Sequence, residues 1–262
     1  MRVISVIIIC GMIAGSVCGG ETIVTINGKT IRVSGNNITV INDTVIVDGK
    51  VVSGQSEAVV NGSGKIATVK RDLGMFTELH QNISADVTVK AGAKGRCTIT
   101  ADENILPLIL TECAGNALQI TCKQSYQTNQ RIRIAIETPL LTKAEMAGSG
   151  EMNISNVTKD KILLVLSGSG DIRVKGKAAE LDATINGSGN VHADGLKAGV
   201  VKVVVNGSGN AKVHATDSLT TEIRGSGDVI YAGAPAQVHN SVSGSGTVAK
   251  ARPNKAIDSG KK

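Results

Sequence analysis

The sequence predicts an all-β solenoid, a parallel β-helix whose coils are about 20 residues long. Between residues 148 and 246 the tripeptide Gly-Ser-Gly occurs six times, at intervals of 20, 19, 20, 18 and 19 residues, and such a fixed period is typical of stacked repeats. The chain contains 31 glycines and only three aromatic residues, which favours a β-rich protein with a thin core. The predicted corner residues are Gly148, Gly150, Gly168, Gly170, Gly187, Gly189, Gly207, Gly209, Gly225, Gly227, Gly244 and Gly246.

Apolar residues flank each copy with a period of two. After the first copy Met152 and Ile154 alternate with polar residues, and before the second copy Ile162, Leu164 and Leu166 do the same. This alternation is typical of a half-buried strand. Each coil therefore contains two short strands joined by Gly-Ser-Gly, with the same face inward each time. The pattern weakens before the last two copies, where Thr221 and Asn240 take apolar positions.

Stacking follows from the small core of each coil. A single coil buries too few side chains to offset the entropy of ordering its backbone, so neighbouring coils must share one core. Glycine suits the corners because it adopts positive φ without a Cβ penalty. Serine is small enough to lie directly above its copy in the next coil.

The first 20 residues resemble a secretory signal. Arg2 precedes an apolar stretch that is too short for a membrane span and ends in small residues. We therefore expect an extracytoplasmic protein, located in the periplasm, at the outer membrane or outside the cell. Cys18 is a candidate for lipid attachment, but Gly15-Ser16-Val17 departs from the usual lipobox. Lipidation at Cys18 and simple cleavage nearby both stay open, and no second apolar stretch predicts a transmembrane helix.

Three further segments complete the predicted organisation. Residues 21–64 contain β-branched runs separated by Asn27-Gly28 and Asp48-Gly49, which predicts a hairpin-like N-terminal extension. Its end, Asn61–Gly64, resembles one early corner. Residues 65–250 form the solenoid, with 65–146 as its first, less regular coils. Residues 251–262 form a basic tail that is expected to be disordered.

The net charge of +6 does not indicate nucleic-acid binding. Residues 250–262 contain five Lys or Arg and one Asp, so most of the excess lies in the tail. The body has neither a basic stripe nor aromatic stacking partners. The scarcity of aromatic residues also argues against a lectin-like face.

Cysteine spacing does not predict a metal site. After signal removal Cys97, Cys113 and Cys122 remain. Their spacings lack the close pairs of structural zinc sites. Either one disulfide with a free thiol or three small buried side chains is compatible with the sequence.

The outward residues do not converge on a catalytic site. The repeat alignment places His192 beside Arg173 and Lys212, and His214 beside Asp194, so the histidines are not stacked. Coils of 18 to 20 residues leave no room for cleft-forming loops. Gly-Ser-Gly also differs in spacing from a nucleophile elbow. The sequence therefore predicts a non-enzyme without a cofactor.

One polar column could bind calcium. The residue after each corner is Glu151, Asp171, Asn190, Asn210, Asp228 or Thr247, and stacking would align these oxygen-bearing side chains. We favour turn chemistry instead, because Asn and Asp bond to neighbouring backbone in turns. The calcium nonapeptide repeat is also absent.

Three features together resemble one family. They are the segment Ile99–Pro107 with Asp102-Glu103-Asn104, the repeated Gly-Ser-Gly corners, and Gly225–Pro235 with its Tyr-x-Gly-x-Pro ending. Over roughly residues 65 to 250 the chain resembles the putative autotransporter adhesin head (GIN) domain, also called DUF2807. The resemblance implies a right-handed parallel β-helix in secreted or envelope proteins, often lipoproteins, and supplies no catalytic residues.

These observations predict an exported, non-catalytic module for adhesion or envelope interaction. Its expected partner is a protein or an envelope glycan surface, and its oligomeric state is open. The alternatives are a periplasmic structural or sensory module and a degenerate carbohydrate-active β-helix enzyme.

Overall fold

A computed structural model describes residues 59–252, except residues 91, 93–94 and 140, and assigns seven strands earlier in the chain. The chain divides into two compact units, Met1–Val59 and Val60–Lys262. Cys18 and residues 253–262 lie outside the described residues. The predictions of a signal peptide, of lipidation and of a disordered tail therefore stay predictions.

The first unit contains two small sheets. Antiparallel pairing of β3 with β4 and of β6 with β7 confirms the hairpins predicted at Asn27-Gly28 and Asp48-Gly49. The sheet orders are β1-β3-β4 and β2-β5-β6-β7. The strands are β1 (Ile4–Ile8), β2 (Ile13–Gly15), β3 (Glu21–Ile26), β4 (Lys29–Ser34), β5 (Ile38–Ile41), β6 (Thr44–Val47) and β7 (Lys50–Ser53).

The second unit is a β-solenoid of about five turns with coils of about 20 residues. Its described residues contain no α-helix, only the 3₁₀ helix η1 (Leu106–Leu108). Its strands are β8 (Val60–Asn61), β9 (Ile66–Asp72), β10 (Glu78–Gln81), β11 (Asp86–Lys90), β12 (Arg96–Asp102), β13 (Ile109–Ala114), β14 (Ala117–Cys122), β15 (Tyr126–Gln127), β16 (Arg133–Glu137), β17 (Lys143–Met146), β18 (Glu151–Leu166), β19 (Asp171–Ile185), β20 (Asn190–Gly207), β21 (Asn210–Gly225), β22 (Val229–Gly233), β23 (Gln237–Gly244) and β24 (Val248–Lys250).

The register of the coils confirms the alignment predicted from the repeat. Strands β18 to β21 are mutually parallel, and equivalent residues of successive corners lie side by side. After the corner the inward column is Met152, Ile172, Val191, Ala211 and Val229, and every member is buried. Similar columns of stacked aliphatic side chains on the other inward positions complete the continuous core.

The corner glycines are required mainly by close packing of the backbone. A Cβ on either glycine of any of the six corners would lie less than 3.0 Å from a carbonyl oxygen of the coil beneath it. Positive φ, the reason expected from the sequence, occurs at only four of the twelve, namely Gly150, Gly207, Gly225 and Gly244. Glycine therefore recurs along the stack of corners because the backbones of neighbouring turns are in contact.

The segment expected to form sequential early coils is arranged differently. Strands β10 and β11 pair in parallel with β17 and β18, so residues 78–90 form a coil directly beneath residues 143–155. Strands β14 and β16 lie beneath that coil, also in parallel. The chain between β11 and β17 therefore folds beneath the coil formed by residues 78–90.

The remaining strands of this segment are antiparallel, which the sequence did not predict. Strand β13 pairs with β14 across a turn at Gly115, whose φ is 61°. Strand β12 lies between β16 and β9, antiparallel to both. The short turn between β13 and β14 is one that antiparallel strands allow, whereas β12 neither directly follows β9 nor directly precedes β16 in the chain. Strands β12 and β13, which we call the cap, cover the edges of β16 and β14 at this end of the solenoid.

Asn61–Gly64 is not an early corner, contrary to the expectation. The backbone N–H of Gly64 donates to the buried Asp102 carboxylate at 2.6 Å, and the N–H of Ser63 donates to Asn104 Oδ1 at 2.9 Å. Asn104 Nδ2 donates in turn to the carbonyl of Asn61 at 2.7 Å. Side chains of the Asp-Glu-Asn turn therefore hold this segment.

Candidate functional site

A groove of about 920 Å³ lies beside the corners. We call it the corner groove. One wall is the loop between β14 and β16, and the other is the stack of corners at residues 82–86 and 149–150. Its lining residues are Asn82, Ile83, Ser84, Ala85, Asp86, Thr121, Cys122, Gln124, Ser125, Tyr126, Gln127, Thr128, Gln130, Arg131, Ile132, Ser149 and Gly150.

The groove exists because one coil lacks a tight corner. Beneath Ile83-Ser84-Ala85 the chain passes from β14 to β16 through residues 123–132, in place of Gly-Ser-Gly. Ile83 and Ala85 carry side chains where every corner above has glycine. The expectation that coils of 18 to 20 residues leave no room for a cleft-forming loop concerned the regular coils and does not extend to this irregular one.

The inner wall is held from inside the core by Gln81. This side chain is fully buried, and its Nε2 donates to the carbonyls of Ile83 at 3.0 Å and Ala85 at 2.8 Å. On the outside, the Ser149 hydroxyl donates to the Ser84 hydroxyl at 2.9 Å. The non-glycine corner is thus fixed on both sides and keeps the stack in register.

The outer wall is held by the segment that leads into the solenoid. Strand β15 pairs in parallel with β8, and the N–H of Gly62 donates to the carbonyl of Gln127 at 2.8 Å. The Thr128 hydroxyl donates to the carboxylate of Asp102. Because Asp102 also binds Gly64, one buried carboxylate braces both the lead-in segment and the groove wall.

The groove offers mixed polar chemistry and one aromatic ring. The Tyr126 hydroxyl donates to the carbonyl of Ser84 at 3.4 Å, and burial raises the pKa of this phenol. Across the groove, Arg131 Nη1 lies 3.2 Å from Asp86 Oδ2. The other Asp86 oxygen accepts the N–H of Glu151 at 3.2 Å. Hydroxyls, amides, an ion pair and a ring face can bind a polar ligand.

The polar column after the corners forms hydrogen bonds between coils, whereas bonds to the backbone of the same turn were predicted. Asn190 Nδ2 donates to Asp171 Oδ1 at 2.9 Å, and Asn210 Nδ2 donates to Asn190 Oδ1 at 2.9 Å. The N–H of Asp228 donates to Asn210 Oδ1, also at 2.9 Å. Each side chain therefore bonds to the next coil, which matches the amide ladders of stacked strands.

Histidine placement differs from the alignment at one position. Arg173, His192 and Lys212 are adjacent as predicted, and burial, with help from the Arg173 charge, lowers the pKa of His192. His214 lies beside Lys197, whereas Asp194 was predicted. The register shifts after Ala193 because β20 carries extra residues there.

A charged cluster on the outer face of β10 and β17 was missed by the sequence analysis. His80 lies 3.3 Å from Glu78 and 3.7 Å from Glu145, and Lys143 lies 3.3 Å from Glu145. Hydrogen bonds from His80 and then Asn116 lower the pKa of Glu78. None of these side chains lines the corner groove.

The three cysteines of the described region are free thiols. Cys97 is buried, Cys113 is exposed, and Cys122 is half-buried with its thiol 3.1 Å from the carbonyl of Gln124. Burial raises the pKa of Cys97 to about 11. Among the described residues, no group of three or more His, Cys, Asp and Glu side chains is placed to hold a metal ion.

The groove residues carry no local signal that sequence analysis could have used. Tyr126 and Arg131 contact residues 42 and 45 positions away. A recurrent offset does exist, since the hydrogen bonds Ser84–Ser149 and Asp86–Glu151 both span 65 residues. Ser84 lies at the centre of a corner that lacks glycine. Its separation of 65 residues from Ser149 is the spacing that could have indicated an interrupted coil.

Comparison with known families finds one match. A family model described as "Putative auto-transporter adhesin, head GIN domain", DUF2807, matches residues 75–235. A comparison with proteins of curated function found no match. No helix in the described part of the chain is both long enough and apolar enough to cross a membrane.

Solved structures share the fold. A putative adhesin from Bacteroides fragilis NCTC 9343 is 21% identical with a TM-score of 0.61, covering 73% of this chain and 100% of that one. A putative lipid binding protein from Parabacteroides distasonis ATCC 8503 is 23% identical with a TM-score of 0.53, covering 74% and 99%. A putative adhesin from Parabacteroides merdae ATCC 43184 is 21% identical with a TM-score of 0.50, covering 74% and 99%.

Proposed function

Because the chain belongs to the auto-transporter adhesin head GIN domain family, DUF2807, we propose that it is an exported, non-catalytic interaction module that binds its partner in the corner groove. The observation that carries the proposal is the groove itself, which interrupts an otherwise regular solenoid. Its walls are braced by Gln81 from the core and by Asp102 from the cap. Preorganised walls reduce the entropy lost on binding.

The proposed ligand is an envelope glycan. A saccharide presents hydroxyl groups that both donate and accept, together with an apolar ring face. The groove supplies Asp86 and Arg131 for the hydroxyls and the Tyr126 ring for the sugar face. The scarcity of aromatic residues argued against a lectin-like surface, yet one of the two tyrosines lines this groove.

Non-catalytic binding is supported by how the charged groups are used. Asp86 is paired with Arg131 and with the N–H of Glu151. Asp86 is also the only carboxylate among the groove's lining residues. Glycoside hydrolysis commonly needs two carboxylates flanking the bond, so this groove is suited to holding a glycan and not to cleaving it.

A binding experiment tests the groove. The purified protein would be titrated with a panel of soluble envelope polysaccharides and affinity measured by calorimetry. We expect Tyr126→Ala to weaken binding at least tenfold. Tyr231→Ala is the matched control, since Tyr231 is also half-buried against the core but lies in β22 and outside the groove. Equal affinities of the two variants would contradict the proposal.

Two further measurements test catalysis and export. Prolonged incubation of the protein with each bound polysaccharide should leave chain length unchanged, and the release of new reducing or unsaturated ends would overturn the non-catalytic assignment. Protease treatment of intact cells should degrade a surface-exposed module. Protection in intact cells, with degradation after the outer membrane is opened, would support the periplasmic structural or sensory alternative.

A further inference from the structure

The last coil ends in an open strand edge. Within the described residues β23 pairs only with β21, and all eight of its residues are exposed. Val238 and Val242 are 37% and 44% exposed, although Leu219 and Ile223 directly beneath them are fully buried. These two valines are therefore in core positions of a coil on which no described strand is stacked.

The β23 edge lacks the residues that usually protect exposed strands from pairing with other chains. Gln237–Gly244 contains no Lys, Arg, Asp, Glu or Pro, whereas charge and proline commonly block pairing at natural edges. The outermost strand β9 at the other end carries Lys70, Arg71 and Asp72. Unlike β9, the β23 edge thus carries no Lys, Arg, Asp or Glu that would repel an identical strand.

The sequence of β23 is also suited to antiparallel pairing with β23 of a second copy. Val238 and Val242 lie two residues on either side of Asn240. In an antiparallel pair centred on Asn240, each Val238 would face Val242 of the other strand, and the two Asn240 residues would face each other. Directly opposed residues of antiparallel strands share one face of the sheet, so both valine pairs would extend the inward face.

We propose that the β23 edge docks against β23 of a second copy of this chain, forming a two-fold dimer. Backbone hydrogen bonds across the two strands supply the pairing, and the four valines are removed from water. The occupant is a second copy and not the chain's own tail, because residues 253–262 (Pro-Asn-Lys-Ala-Ile-Asp-Ser-Gly-Lys-Lys) lack the apolar alternation of a covering strand. Such a dimer carries two corner grooves, which raises avidity for a repetitive ligand.

Sedimentation equilibrium of the purified protein across the micromolar range tests this association, with no ligand required. We expect a monomer–dimer equilibrium that Val242→Lys weakens at least tenfold. Val200→Lys is the matched control because Val200 is 46% exposed on β20, two strands from the edge. A monomer at all concentrations, or equal effects of both substitutions, would overturn the proposal. So would a dimer formed only after residues 253–262 are removed, since the tail would then be the occupant.

Cross-linking tests the register independently. In a Cys113→Ser background, which removes the exposed thiol, Asn240→Cys should form a disulfide-linked dimer on mild oxidation. Opposed residues in antiparallel strands have Cα atoms about 4.5–5.5 Å apart, within disulfide range. Val238→Cys should not cross-link to itself, because its counterpart is offset by four residues. Equal cross-linking of the two variants would exclude this register.

Discussion

The hydroxyl groups of Ser84 and Ser149 lie 2.9 Å apart, although the residues are 65 positions apart in the chain. This contact places Ser84 in the same column as the serines of the Gly-Ser-Gly corners. Regular coils are about 20 residues long, so about 45 additional residues have been inserted after this corner. The insertion supplies both the cap at this end of the solenoid and the outer wall of the corner groove.

Packing between corners predicts a large effect for Gly189→Ala. A Cβ at this position would overlap the carbonyl oxygen of Gly170 and lie 2.8 Å from Leu166 Cδ2. The backbone of the adjacent coil would have to move, and overpacking of this kind costs about 1–3 kcal/mol. Urea unfolding should show that loss in the free energy of unfolding.

Gly74→Ala is the control for this substitution. The nearest atom to a Cβ at Gly74 is Cys113 Sγ at 3.8 Å, an ordinary contact. This variant should keep the stability of the parent within about 0.5 kcal/mol. If Gly189→Ala were equally mild, contact between corners would not be the reason for glycine.

Removal of the Asp102 carboxylate should destabilise the cap and the groove together. Asp102→Ala leaves the N–H of Gly64 and the hydroxyl of Thr128 without their buried acceptor. We expect a loss of about 1–3 kcal/mol, measured by urea unfolding, and weaker glycan binding because Thr128 belongs to the groove wall.

The neighbouring residue provides the comparison for Asp102. The Glu103 side chain makes an exposed ion pair, with Lys65 Nζ 3.7 Å from its Oε1. Glu103→Ala should therefore cost less than about 1 kcal/mol and leave glycan affinity unchanged. A similar loss in both variants would mean that the turn, and not the buried carboxylate, is what matters.

The regular coils were predictable because their information is local and repeated. A period near 20 and alternating apolar residues fix which positions stack, and the pairing of Met152 with Ile172 and of Leu166 with Ile185 follows from them. The error at His214 arose where β20 contains extra residues. An alignment of repeats counts residues and has no means of locating a bulge.

The cap and the groove were not predictable from the same signals. Strands β12 and β13 alternate like coil strands, and alternation does not distinguish parallel from antiparallel pairing. Likewise, Tyr126 and Arg131 lie in a loop without a repeat, and their partners Ser84 and Asp86 are more than 40 residues away. Long-range contacts of single residues leave no periodic trace in a sequence.

Burial of the Cys97 thiol should make stability fall at alkaline pH. Its folded-state pKa is raised from 9.0 to about 11, by burial and against the opposing charge of Arg71. Between these values the unfolded chain loses a proton that the folded chain keeps, so unfolding becomes more favourable as pH rises. The expected slope approaches about 1.4 kcal/mol per pH unit.

Comparison with Cys97→Ala isolates this contribution. The variant lacks the titrating thiol, so the free energy of unfolding, measured in urea from pH 8 to 11, should depend less steeply on pH than that of the parent. Its overall stability will also be lower, because a buried side chain has been shortened. The prediction concerns the difference in slope, and parallel curves would refute it.

The amide ladder predicts stability that is independent of calcium. Asn190 donates to Asp171 and accepts from the side chain of Asn210, each at 2.9 Å, so Asn190→Ala should cost about 1–2 kcal/mol. Neither calcium nor a chelator should change the melting temperature of the parent, since Asp171 is already bonded within the ladder. Asn190→Asp would place a second carboxylate beside Asp171, lowering stability through repulsion that added calcium should partly relieve. A chelator-induced drop in the parent's melting temperature would show that the column binds metal and that its hydrogen bonds are secondary.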